Sequence, residues 1–168
     1  MINVGSTIVY GSQVCKVSDL SDKTFGKITR KYYVLTPVFD EKNMIYVPVD
    51  NEKLVARMKQ ILSAEEIYAL IAEMPDKKSI WIDDDKLRAV KYKELIENGN
   101  REEIITLIKT LFEHKCEMEA RGRKLHASDE IILARAEKVI YEEFALVLNI
   151  KRDEVVPFIA AKINVEKK

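Results

Sequence analysis

The apolar residues of this chain change their period once, near Val55, and that change limits the fold more than any motif does. Before Val55 they alternate with polar residues or form short β-branched runs: Thr7 to Tyr10, Val14 to Val17, Tyr32 to Leu35 and Met44 to Val47. A period of two is the mark of half-buried strands. Gly5, Gly11, the stretch Asp19 to Gly26 and the run Asp40 to Asn43 read as turns between them. Four or five short strands in about 55 residues predict a small, highly curved sheet or SH3-like β-barrel. A module of that size lies near the lower limit for independent stability.

After Val55 the period becomes that of helices. Ser63 stands three residues before Glu66, a capping box, and Ile67, Leu70, Ile71 and Met74 follow on one face until Pro75 stops the run. A helix is expected from about Asp84 to Glu97, closed by Gly99. Asn100 and Glu103 cap the next, whose stripe is Ile104, Ile105, Leu107, Ile108, Leu111 and Phe112. Arg121 to Lys124 reads as a loop. Ser128, Asp129 and Glu130 open a long helix, with acids at the positive end of its dipole. A last helix begins near Asp153, because Pro157 is tolerated only in a first turn. The expected fold is therefore α+β: a β-rich domain over residues 1–55 and an all-helical domain of about five helices over 56–168.

Several classes of chemistry have no support. Cys15 and Cys116 are far apart, with no CxxC spacing and no histidine cluster, which excludes the usual zinc patterns. They read as reduced thiols. The five glycines are isolated, so there is no phosphate-binding loop. His114 and His126 have no serine or cysteine partner at a catalytic spacing. Asp83, Asp84 and Asp85 lack the alternating carboxylates of a calcium loop and read as helix-start acids. We expect no enzymatic activity and no cofactor. The amino terminus has no basic stretch followed by an apolar run, and charges break every long apolar segment, so a soluble, cytoplasmic protein is expected. The formal net charge is zero. A chain that binds nucleic acid unaided usually carries a basic excess, so any DNA contact must use a local patch or the help of a partner.

An ordered set of residues across both halves carries a family resemblance. In the helical half it comprises Tyr92-Lys93, Leu95, Gly99-Asn100, Ile104 to Phe112, Leu125, Leu133 to Ala136 and Glu142 to Ala145. In the β half it comprises Val4-Gly5, Ile8 to Tyr10, Tyr33 to Leu35 and Tyr46 to Val49. Together they resemble the CarD/CdnL family of bacterial transcription regulators, whose amino-terminal domain is shared with transcription-repair coupling factor. The resemblance implies a Tudor-like domain that docks on the RNA polymerase β subunit, and a helical domain that reaches promoter DNA at the upstream edge of the melted bubble. It assigns polymerase contacts to Tyr46 and Pro48, with Lys23 near a basic contact position. Pro48 also reads simply as the end of a strand.

Three departures stand out. The family's wedge tryptophan, four residues before the tyrosine position, is Arg88 here, and the sole tryptophan is Trp81. The family's Tyr-Pro-x-x-Gly turn reads Tyr10 to Val14 with glycine at position 11. The family's basic residue at the start of the long helix is replaced by Glu130, and Arg123-Lys124 read as an insertion ahead of it. The DNA candidates are accordingly Trp81, Arg88, Lys91, Lys93, Arg121, Arg123 and Lys124. Arg88 suits a narrow minor groove and Trp81 suits stacking on an unpaired base; the same residues also read as a solvated helical face and a buried tryptophan. The expected function is regulation of transcription initiation by a monomer that stabilises or tunes the open complex. The alternative is a protein-only adaptor whose helical domain binds another factor.

Overall fold

A computed structural model of the protein describes residues 2–166. The chain divides into two compact units, Met1–Ile61 and Leu62–Lys168, in an α+β arrangement.

The first unit is an antiparallel sheet of β1 (Thr7–Tyr10), β2 (Gln13–Phe25), β3 (Ile28–Pro37), β4 (Ile45–Pro48) and β5 (Met58–Gln60) in the order β4-β3-β2-β1-β5. A one-turn helix, α1 (Glu52–Val55), precedes β5. Strand alternation sends Ile8, Cys15, Val17, Leu35, Val47 and Met58 into one small core. Met58 belongs to that core and β5 pairs with β1, so the sheet continues past Val55 and the unit ends at Ile61. The change of period near Val55 marks α1, a helical turn inside the β unit.

Both tight hairpins use a two-residue loop whose first residue is glycine: Gly11 at φ +58° and Gly26 at φ +65°. Positive φ at the first loop position is the pattern of a type II′ turn, whose twist matches that of the flanking strands. This explains the departure at Tyr10 to Val14: Gly11 itself makes the turn. The stretch Asp19 to Gly26, expected as a turn, is instead mostly strand. β2 pairs with β3 from Cys15↔Pro37 out to Phe25↔Ile28, with an irregularity between Val17 and Asp19. Beyond that point the hairpin is largely solvated, so it shows no apolar alternation. Backbone pairing and cross-strand bonds such as Thr24 to Thr29, at 2.8 Å, hold it.

The second unit contains α2 (Ala64–Glu73), α3 (Asp85–Asn98), α4 (Arg101–Ala120), α5 (Ala127–Leu148) and α6 (Val155–Glu166), with 3-10 turns at Met74–Asp76 and Arg152–Glu154. The capping signals at Ser63, Gly99 and Asn100 act as expected, and Asp84, expected as the first residue of α3, stands just before it. Ser63 and Glu66 form a reciprocal capping box, Asp84 and Asn100 cap α3 and α4, and Gly99 ends α3 in the left-handed region. α5 starts at Ala127, capped by the His126 ring. Pro157 lies in the first turn of α6, where its missing N–H costs nothing. The core gathers Ile67, Ile71, Tyr92, Ile96, Ile104, Leu107, Leu111, Ile140 and Phe144. Within it, buried Glu143 accepts bonds from Arg101 Nε (3.1 Å), Arg101 Nη2 (2.8 Å) and the backbone N–H of Leu62 (2.9 Å). That network ties the first residue of the unit to its longest helix. None of the helices, among the described residues, is long and apolar enough to cross a membrane.

Candidate functional site

Residues directly opposite each other in a sheet share a face, and each strand returns to that face every second residue. Pro48 lies opposite Tyr32, Tyr46 opposite Val34, Ser21 opposite Tyr32, Lys23 opposite Arg30 and Phe25 opposite Ile28. Lys23, Phe25, Ile28, Arg30, Tyr32, Tyr46 and Pro48 therefore lie on one face, the one turned away from Val47 and Leu35. Phe25, Tyr32 and Tyr46 form an edge-to-face cluster, with centroids 5.2 Å apart for Phe25–Tyr32 and Phe25–Tyr46 and 6.4 Å for Tyr32–Tyr46. Phe25, Ile28 and Tyr46 are 49%, 56% and 39% exposed, an apolar load that a free hairpin has no folding reason to show. Cations flank it: Lys23 sits 3.9 Å from Asp19 and Arg30 4.0 Å from Asp50. The Ser21 hydroxyl, the Leu20 N–H and Lys23 hold the Asp19 carboxyl below its ordinary pKa. β4 is an edge strand, and edge strands accept partner strands.

In the helical unit the geometry centres on Arg88. Its Nε and Nη2 donate to the two carboxylate oxygens of Asp129, each at 2.8 Å, and Nη2 also reaches Asp85 Oδ1 at 2.8 Å. Nη1 donates to the Ile82 carbonyl at 2.9 Å. The residue is 2% exposed. Bonds to Asp129 outweigh burial and hold the guanidinium charged. Trp81 lies over it, with Arg88 Cζ 4.3 Å from the ring centroid. The indole also stacks on His114, with centroids 3.7 Å apart and planes 18° from parallel, and its Nε1 donates to Asp83 at 3.1 Å.

Residues 2–59 match the CarD-like/TRCF RID domain family. The amino-terminal unit is a CarD-like/TRCF RID domain. The match spans β1 to β4 and reaches into β5, and it bears out the family resemblance and the Tudor-like fold in this unit of the chain. No curated protein matches the chain.

The RID domain brings the three sequence-derived docking residues, Lys23, Tyr46 and Pro48, onto one face. Sequence reasoning missed Phe25, Ile28 and Tyr32 beside them, because their common face follows from the β2–β3 register, which was hidden by reading Asp19 to Gly26 as a turn. Beyond the RID domain the helical candidates scatter. Arg88 is corrected: it is an interior residue with its donors engaged, and it is not available to a DNA groove. The spacing Arg88, Tyr92, Ile96 was the signal, since these three form the buried face of α3. Trp81 is half-buried with its ring already stacked, and as folded it offers no free platform for a base. Lys91 is exposed, 4.0 Å from Glu94. Lys93 is exposed on the same helix. Arg121, Arg123 and Lys124 are all exposed in the loop after α4, where Gly122, at φ +69°, turns the chain. These three cations make no ion pair among the described residues.

Proposed function

We propose that this protein, an RNA polymerase-interacting, transcription-related protein by its RID domain, is a non-enzymatic regulator of initiation. Its sheet face docks on the polymerase β subunit, and its helical unit contacts promoter DNA beside the melted bubble to stabilise or tune the open complex. The observation that carries the docking half is the exposed Phe25–Tyr32–Tyr46 cluster flanked by Lys23 and Arg30, on the domain that matches the polymerase-interacting family. Aromatic and arginine side chains are the usual anchors of protein interfaces.

The DNA half rests on the cations of the loop Arg121, Arg123 and Lys124, with Lys91 on α3. A few phosphate contacts give weak, salt-sensitive binding, and zero net charge adds no long-range attraction. Docking on polymerase would raise the effective concentration of the loop at the promoter. A monomer in the bacterial cytoplasm, needing no cofactor, fits this role. The test is co-purification with polymerase, then a footprint of the promoter complex with a photocrosslinker at Arg123. Crosslinks to upstream DNA support the reading; co-purification without any DNA crosslink leaves the protein-only adaptor. The burial of Arg88 and the stacking of Trp81 favour that second reading, since neither can replace a wedge.

A further inference from the structure

We infer that the groove between α3 and α5 is a docking site for an acidic amphipathic helix of a partner protein. Ala89, Lys93 and Ile96 line it from α3, and Ser128, Ile131, Ile132 and Arg135 from α5, around about 250 Å³. Each wall is a single helical stripe, at spacings of three, four and seven residues, which is the surface a third helix packs against. The apolar wall is unusually open: Ile131 is 70% exposed. A β-branched residue that exposed on a helix serves neither the core nor helix propensity.

The charge of the groove selects the occupant. Lys93 and Arg135 flank it, and neither forms an ion pair or side-chain hydrogen bond among the described residues. Glu97 and Glu130, the nearby acids on the same two helices, form no ion pair with either. Asp129 is committed to Arg88, and Glu94 faces Lys91. Two unpaired cations beside an apolar floor complement a helix carrying Leu or Phe on one side and Glu or Asp along its edges. Duplex DNA is a poorer match: its phosphates reward cations and polar donors, nothing in them covers Ile131, and Asp83 to Asp85 sit exposed at the start of α3. The groove excludes the loop Arg121 to Lys124 and Lys91, so this inference stands apart from the DNA contact proposed above.

The experiment uses the full chain without polymerase and a labelled synthetic helix with leucines on one face and glutamates beside them, followed by fluorescence anisotropy at physiological salt. Binding should weaken about tenfold or more, roughly 1.4 kcal/mol, in Lys93→Glu/Arg135→Glu and, separately, in Ile131→Ser. A peptide with lysines in place of its glutamates should bind the charge-reversed variant and not the parent. These are surface positions, and unchanged circular dichroism and Tm will show that the variants fold. Absence of binding, or equal binding by parent and variants, overturns the proposal. So does duplex DNA that competes for the groove and loses affinity in the same variants, and so does a dimer, seen by sedimentation, that Ile131→Ser dissolves. Polymerase co-purification is a separate measurement, so failure here leaves the docking of the RID domain untouched.

Discussion

Arg88 and Asp129, on α3 and α5, form a two-point ion pair closed off from solvent, with both N–O distances at 2.8 Å. The pair joins the first turns of two helices that lie far apart in sequence. Arg88→Ala would strand the Asp129 charge in the interior, which costs about 3–5 kcal/mol when one partner of a buried pair is removed. Urea unfolding should show that loss. Arg88→Met/Asp129→Leu should lose much less, because no unpaired charge remains. A stable Arg88→Ala variant would contradict the burial of this pair.

Trp81 covers the same guanidinium and stacks on His114. Trp81→Ala should therefore lower stability, by less than the 3–5 kcal/mol of a fully buried aromatic. Any change in open-complex lifetime should scale with the loss of folded protein. A fully stable Trp81→Ala protein that has lost its effect on open-complex lifetime would assign the indole to nucleic acid instead.

Tyr32→Ala/Tyr46→Ala should reduce polymerase affinity by an order of magnitude or more, about 2 kcal/mol for hot-spot aromatics. The cluster is partly open to solvent and outside the small core, so Tm should fall only slightly. Surface plasmon resonance on immobilised polymerase reads the first effect and calorimetry the second. Unaltered affinity would move the docking face elsewhere on the domain.

Replacing Arg121, Arg123 and Lys124 with alanine should leave stability within about 0.5 kcal/mol, as expected for exposed loop positions. If all three meet phosphates, the slope of log affinity against log salt for promoter DNA should flatten by about 2.7. An unchanged slope in the polymerase-bound state would remove the loop from the interface.

Burial lifts the carboxyl of Glu142 above the usual Glu range, with Lys138 and Arg152 pulling it part of the way back. An acid with a raised folded pKa binds its proton more readily folded than unfolded. It therefore adds stability as pH falls from that raised value towards the ordinary one, and that contribution is lost again as pH rises through the folded pKa. Glu142→Gln should be more stable than the parent at neutral pH, and the advantage should shrink as the solution is acidified into that window. A constant difference in Tm across the range would show that Glu142 does not titrate with folding.

Local signals in the sequence determined the kinds of element and most of their ends. Ser63 with Glu66, Gly99 and Asn100 act within a turn of themselves, so their capping roles were legible without any knowledge of packing. The β-then-α order and the Tyr46–Pro48 strand were legible for the same reason. Tertiary structure alone decided the rest. The distal half of the β2–β3 hairpin is held by a partner strand and not by its own apolar pattern, so Asp19 to Phe25 looked like a turn. Phe25, Tyr32 and Tyr46 meet only once the register of three strands is set. Arg88 stood among surface lysines along the chain, yet the 100° step of the helix turned it inward, beside Tyr92 and Ile96. What makes that position tolerable is Asp129, and a carboxylate arriving from another helix leaves no mark in the sequence around Arg88.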